Sequence, residues 1–142
     1  MIPICQSEHW PLEFAVAGYP MNGETVSGDL YIVRPSADGV LIALLDGIGH
    51  GAEAAHGAKV AACTLEHQVN APVEFMLEFC HEALKDTRGA VMTVAAIDNR
   101  SGTMAWLGVG NVEARLLRAD PAQPCEQLVL CPGIVGYDRP AL

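Results

Sequence analysis

Two helical segments follow one another in the middle of this sequence, between two groups of short apolar runs. The first is predicted from Gly51 to about Asn70, where small and apolar residues recur at helical steps. Pro72 suits the start of the second, and Glu74, Glu78, His81 and Lys85 should face water. Because the helices are grouped and do not alternate with strands, we expect an α+β layered fold. The positions expected to face the core are Ala54, Ala58, Ala61, Leu65, Val69, Val73, Phe75, Met76, Leu77, Phe79, Cys80 and Leu84.

Short apolar runs on both sides of the helices are predicted as strands. Turn sequences such as Asn22-Gly23, Pro35 to Gly39 and Asn99 to Gly102 join several of them, so antiparallel pairing is expected. The order of the main elements is β-β-β-α-α-β-β-β. The predicted strands are Phe14 to Met21, Leu30 to Val33, Val40 to Leu45, Ala90 to Ile97, Met104 to Leu107, Val112 to Leu117, and a shorter one at Leu128 to Leu130.

Composition narrows the class of protein. The 142 residues suit one domain, and 51% hydrophobic residues are enough for a core. No apolar run is long enough to cross a bilayer and no signal-peptide pattern is visible, so we expect a cytoplasmic protein. A net charge of −9 argues against a nucleic acid or an anionic membrane as partner.

The cysteines predict neither a disulfide frame nor a zinc site. Their number is odd and no pair has the C-x-x-C spacing, so we expect reduced and mostly buried thiols. They are Cys5, Cys63, Cys80, Cys125 and Cys131.

The stretch LLDGIGHGAEAA, from Leu44 to Ala55, leads from a strand into the first helix and admits three interpretations. Asp46 could simply accept hydrogen bonds within the turn. Gly49 to Ala54 matches G-x-G-x-x-A, the dinucleotide fingerprint, although a second helix follows where that fold needs a parallel strand. The third interpretation is a divalent-metal site, in which Asp46 and the carbonyl of Gly47 supply oxygen ligands.

A second aspartate favours the metal site. Asp29 begins the strand before Val40 to Leu45, and antiparallel pairing would bring Asp29 and Asp46 to the same edge of the sheet. Oxygen ligands of this kind suit Mg²⁺ or Mn²⁺. His50 and His56 are further candidate ligands, whereas His9, His67 and His81 have no spacing partner.

These motifs resemble the PPM-type serine/threonine phosphatases of the bacterial SpoIIE/RsbU/RsbX group, and RsbX most. The stretches that carry the resemblance are Ser27-Gly28-Asp29, Leu44 to Gly51, Arg88 to Asp98, Trp106 to Ala114 and Pro132 to Tyr137. The resemblance implies an αββα sandwich of two packed antiparallel sheets flanked by helices. It also implies two Mn²⁺ or Mg²⁺ ions, with Asp29, Asp46 and Gly47 among their ligands and the two aspartates catalytic. Water held by the ions would attack the phosphorus, and His50 is a candidate leaving-group acid.

Later aspartate motifs of that group, T-D-G and D-D-x-T, are absent. Residues 1–142 therefore suggest a single PPM/SpoIIE-like domain that is incomplete at its C-terminus and lacks its last elements. An open sheet edge would then favour a homo-oligomer. The resemblance implies a metal-dependent phosphatase acting on phosphorylated STAS-domain regulators or another stressosome component in stress or sporulation signalling. A catalytically weak or inactive binding module is the alternative.

Overall fold

A computed structural model of the chain describes residues 12–138, so Cys5 and His9 lie outside the described residues. Strands and helices do not alternate in it as they would in a doubly wound fold. Two strands are followed by two helices and then by four strands. In chain order they are β1 Asp29–Pro35, β2 Gly39–Gly47, α1 Gly51–His67, α2 Val73–Ala83, β3 Ala90–Asp98, β4 Thr103–Val109, β5 Arg115–Leu116 and β6 Glu126–Gln127.

The main sheet has four antiparallel strands in the order β1-β2-β3-β4. The predicted turns at Pro35 to Gly39 and Asn99 to Gly102 are confirmed, because they join β1 to β2 and β3 to β4. In the second turn a hydrogen bond with the Ser101 side chain lowers the pKa of Asp98 most. The N–H groups of Arg100 and Ser101 also donate to the Asp98 carboxylate and lower its pKa further. Such Asx hydrogen bonds stabilise a tight turn.

Both helices pack on one face of this sheet. Helix α1 lies against β1, β2 and β3, and α2 lies against β3, β4 and α1. Their apolar stripes meet the residues of the sheet that point to the same side, since side chains alternate along a strand. The largest fully buried side chains are Leu41, Leu45, Leu65, Met76, Leu77, Cys80, Leu84, Met92, Val94, Val109 and Val135.

The opposite face of the sheet is covered mainly over β3 and β4. A two-stranded ribbon of β5 and β6 follows β4. Thr93 donates a hydrogen bond to the Val112 carbonyl, and the side chains of Leu128 and Leu130 lie directly over Gly108. These contacts cover β3 and β4 and leave the β1–β2 end of this face more open.

Two glycines allow α1 to approach the ends of β1 and β2 very closely. A Cβ atom at Gly47 would lie 1.8 Å from the carbonyl oxygen of Ala54, and one at Gly28 would lie 2.8 Å from the Ala54 Cβ. The Gly47 N–H donates to the Gly28 carbonyl at 3.0 Å, so the strand ends are joined beneath the helix. Any side chain at Gly47 would push the first turns of α1 off the sheet.

The strand prediction is wrong at three places. Phe14 to Met21 forms no strand, because no neighbouring strand among the described residues pairs with it; the turn at Asn22-Gly23 that follows is present. Val112 to Leu117 shortens to Arg115–Leu116. The strand expected at Leu128 to Leu130 lies instead at Glu126–Gln127.

Several burial predictions are also corrected. Phe75 and Phe79 are 55% and 45% exposed, because they lie on the solvent side of α2, whereas Met76 is fully buried as expected. His81 is partly buried and accepts a hydrogen bond from the Gly136 N–H at 3.1 Å. All four described cysteines are free, yet Cys63 and Cys125 are exposed. Burial raises the pKa of the Cys80 thiol to about 12.

The α+β class is confirmed. Helices cover one face of an antiparallel sheet, and a second, smaller antiparallel sheet lies beyond it. Among residues 12–138, no helix is long and apolar enough to span a membrane.

Adjacent residues of α2 allow a direct test of this packing. We expect Met76→Ala to lower the free energy of unfolding by about 2–5 kcal/mol, because it removes a fully buried side chain and leaves a cavity. Phe75→Ala should cost less than about 1 kcal/mol, since more than half of that side chain is already in water. Urea denaturation followed by circular dichroism measures both. Equal losses for the two variants would contradict the orientation of α2.

Candidate metal centre

Asp29 and Asp46 lie directly opposite one another at one end of the β1–β2 ladder. They are Cα partners in the antiparallel register, in which Leu30 pairs with Leu45 and Tyr31 with Leu44. Residues directly opposite in such a pair have side chains on the same face of the sheet. The two carboxylates therefore meet, as the hairpin argument predicted.

Like charges directly opposite each other destabilise a sheet. The pKa of Asp46 is raised, first by burial, then by the negative charge of Asp29 and by a hydrogen bond between the two side chains. Each cause disfavours the ionised form of Asp46 in the fold. The fold therefore favours a proton on Asp46, or a cation that offsets the negative charge there.

The two carboxylates line a cleft of about 560 Å³ on the open face of the sheet. Its walls come from the segment before β1, from the β1–β2 ladder and from the loop between β4 and β5. Its only charged lining residues are acidic, so it contains no group of its own that could neutralise an anion. The residues that line it are Val16, Ala17, Gly18, Tyr19, Pro20, Ser27, Asp29, Leu30, Tyr31, Leu44, Leu45, Asp46, Asn111, Val112 and Glu113.

The backbone holds each aspartate in place by a short local contact. The Asp29 N–H donates to the Ser27 hydroxyl at 3.1 Å, which fixes the entry to β1. After Asp46, the buried Gly47 is pressed against Ala54 of α1. Beyond it the Ile48 N–H donates to the Gly89 carbonyl at 3.0 Å. The need for glycine at position 47 thus has a packing cause, independent of any ligand role of its carbonyl.

The structure separates the two candidate histidines. His50 immediately precedes α1, does not line the cleft, and its Nδ1 lies 2.6 Å from Oε1 of Glu24. His56, which lies six residues later and within α1, lines a different hollow beside Asp86 and Arg88. Of the two histidines, only His50 lies on the short connection that follows Asp46.

Sequence reasoning missed three polar residues of this region. Asn111 and Glu113 line the cleft with the aspartate pair, and Glu24 binds His50. The stretch Gly110 to Ala114 belonged to the family resemblance, but spacing alone assigned it no role. Glu24 could not be found from spacing, because its partner lies 26 residues away.

The donor set fits a hard divalent cation with few protein ligands. Mg²⁺ commonly binds through one or two carboxylates and keeps several waters. Asp29 and Asp46 supply two such carboxylates whose repulsion a cation would offset. In the described part of the chain, no three His, Cys, Asp or Glu side chains form a metal-binding group. Asp29 and Asp46 would therefore hold such a cation with two carboxylates, and water would supply its other ligands.

Comparison with known proteins gives one curated relative and several solved structures. Phosphoserine phosphatase RsbX of Bacillus subtilis (strain 168) is 26% identical over 112 residues, which is 79% of this chain and 55% of that protein. No protein-family model matches the chain. The chain therefore spans little more than half of this curated relative.

The solved structures share the fold. One, described as "The bacterial stressosome: a modular system that has been adapted to control secondary messenger signaling", is 33% identical with a TM-score of 0.81, covering 87% of this chain and 62% of that one. RsbX in complex with magnesium is 24% identical with a TM-score of 0.84, covering 98% and 68%. The PP2C phosphatase domain of SpoIIE from Bacillus subtilis is 23% identical with a TM-score of 0.60, covering 84% and 36%.

Cation binding should appear as a pH-dependent gain in stability. When folding raises the pKa of a group, the protein loses folding stability as the pH rises through that pKa. The metal-free protein should therefore lose stability as Asp46 ionises. Mg²⁺ or Mn²⁺ at 100 times its Kd should add about 2.7 kcal/mol, roughly 8 °C in Tm. The gain should grow as the pH rises through the raised pKa of Asp46, because protons compete with the cation.

Differential scanning fluorimetry with and without the cation measures this. Asp46→Asn should abolish the cation-induced shift and raise the Tm of the metal-free protein at pH 7, because it removes the repulsion. A cation-induced shift that is unchanged in Asp46→Asn would refute the assignment of the pair as a metal site.

Proposed function

We propose that this chain, a PPM-type phosphatase domain of the RsbX kind, hydrolyses phosphoserine or phosphothreonine in a regulatory protein with the help of a divalent cation. One observation carries the proposal. Asp29 and Asp46 are opposed across the β1–β2 ladder and line the same cleft, which supports a role for both carboxylates as ligands of a cation beside a bound phosphoryl group. The likeness to phosphoserine phosphatase RsbX supports the reaction class.

The proposal assigns cation binding to the residues at the end of the β1–β2 ladder. Asp29 and Asp46 would hold Mg²⁺ or Mn²⁺, with the carbonyl of Gly47 as a further ligand. When bound, such ions lower the pKa of a coordinated water and offset charge on the phosphoryl oxygens. Without them the acidic lining of the cleft would repel a phosphate dianion.

The proposed reaction transfers the phosphoryl group directly to water. The water oxygen forms a bond to phosphorus in line with the P–Oγ bond, which breaks, and its electron pair stays on the serine oxygen. His50 gives a proton to that oxygen, and the attacking water releases one to the solvent. The products are an unmodified hydroxyl and inorganic phosphate, with no covalent enzyme intermediate.

The substrate class that we propose is a phosphorylated STAS-domain regulator or another stressosome component. The likeness to a chain of a stressosome structure supports a partner in that kind of assembly. A net charge of −9 also favours a protein substrate over nucleic acid. Stress or sporulation signalling, in the cytoplasm, is the setting that this substrate implies.

A catalytically weak binding module is the second candidate. The observation that favours it is the small number of ligands, since in residues 12–138 no third Asp, Glu, His or Cys side chain joins the two aspartates in a group that could hold a metal ion. Such a domain would still bind a phosphorylated partner through the cation without turning it over.

Manganese-dependent hydrolysis distinguishes the two candidates. We expect release of phosphate from a phosphoserine protein, and from p-nitrophenyl phosphate, that requires Mn²⁺ or Mg²⁺. Asp46→Asn should lower kcat/KM about 100-fold or more, because the loss of a metal ligand removes several kcal/mol of transition-state stabilisation.

Asp120→Asn is the matched control, because it makes the same change of charge in a loop that does not line the cleft. It should keep the wild-type rate. Activity that persists in a chelator, or that Asp46→Asn leaves intact, would refute the enzymatic proposal. Saturable binding of the phosphoprotein without turnover would support the binding module.

A further inference from the structure

We infer that Glu24 is a positioning residue that orients the His50 ring for proton donation to the leaving oxygen. This inference rests on the proposed function and deepens it. The observation behind it is the contact of 2.6 Å between Glu24 Oε1 and His50 Nδ1, across 26 residues of sequence. Glu24 was not identified by any sequence motif.

The Glu24–His50 pair is fixed to the same two chain segments as the aspartate pair. Glu24 follows the Asn22-Gly23 turn, and its N–H donates to the Met21 carbonyl at 2.9 Å. Five residues later the same segment supplies Asp29. On the other side, Asp46 lies near the end of β2, and His50, four residues later, immediately precedes α1. Each segment therefore contributes one member to each pair.

The surroundings of Glu24 fix its carboxylate. Its side chain is 29% exposed, against 64% for that of His50. Gly51, which has a φ of +63°, leaves room for it, because a Cβ atom there would lie 2.5 Å from Glu24 Oε2. The carboxylate thus lies over the first residue of α1, where a negative charge is also favoured by the helix dipole.

This geometry assigns a role to each nitrogen of the ring. With Nδ1–H donating to Glu24, the other nitrogen, Nε2, is free to carry the proton that is transferred. During P–Oγ cleavage the Nε2 proton goes to the serine oxygen, which keeps the electron pair of the broken bond. The ring is left neutral with Nδ1–H still bound to Glu24, and a proton from solvent restores Nε2–H. Carboxylates commonly fix the tautomer and orientation of a catalytic histidine in this way.

A comparison of two leaving groups separates proton donation from a merely structural role, because structural damage would slow hydrolysis of both substrates. A serine alkoxide is a poor leaving group and needs a proton, whereas p-nitrophenolate departs without one. At saturating Mn²⁺, His50→Gln should lower kcat on a phosphoserine peptide about 100-fold and leave KM nearly unchanged. Glu24→Gln should lower the same kcat roughly tenfold. Both variants should hydrolyse p-nitrophenyl phosphate within about threefold of wild type.

The double variant completes the test. If Glu24 acts through His50, Glu24→Gln should cost nothing further in the His50→Gln background. Equal losses on both substrates, additive losses in the double variant, or an unchanged kcat for Glu24→Gln on the peptide would each overturn the inference. A wild-type chain inactive on both substrates refutes the phosphatase proposal as well, so the two failures are distinguishable.

A measurement on the resting protein checks the geometry separately. Nitrogen-15 NMR of the His50 ring should show the Nδ1–H tautomer for the neutral side chain, and Glu24→Gln should shift the population toward Nε2–H. An unchanged tautomer in Glu24→Gln, with the fold intact by circular dichroism, would contradict the positioning role. Glu13→Gln, which makes the same change of charge at an exposed residue outside the Glu24–His50 contact, is the control.

Discussion

The close contact of α1 with the ends of β1 and β2 organises the rest of this molecule. Ala54 lies so near to Gly28 and Gly47 that neither position has room for a side chain. This contact brings the start of α1 onto the edge of the sheet where β1 begins and β2 ends. The segment before β1 and the connection from β2 to α1 therefore meet there. The aspartate pair and the Glu24–His50 pair are both consequences of the same tight corner.

The site combines a stable scaffold with an unfavourable electrostatic contact. Leu45 and Met92 are fully buried beside Asp46 in the register, so packing holds the strands together while the carboxylates repel. Because the direction of the pKa change at Asp46 reflects burial and Asp29 together, the pair is poised to bind a positive charge. Proteins commonly keep such locally unfavourable contacts where they bind ligands.

Local patterns predicted the parts of the fold that depend on neighbours in sequence. The turn between β1 and β2 and the apolar runs beside it were enough to place Asp29 and Asp46 at the same edge of the sheet, where the structure pairs them directly. Phe75 and Phe79 were misplaced, because a helix with apolar residues on most sides does not reveal which side meets the sheet. Phe14 to Met21 has strand-like composition, but a strand also needs a partner, which composition does not supply. The Glu24–His50 contact depends on tertiary packing and has no local signal.

The pairing of Asp29 with Asp46 also makes the site sensitive to strand register. Side chains alternate between faces, so a slip of one residue between β1 and β2 would leave the carboxylates no longer opposite each other and turn one strand's apolar residues away from the helices. A chain folded in that shifted register would lack both the packed core and the converging oxygens. Formation of a two-carboxylate site can therefore serve as a check on correct strand alignment, because only the native register assembles it.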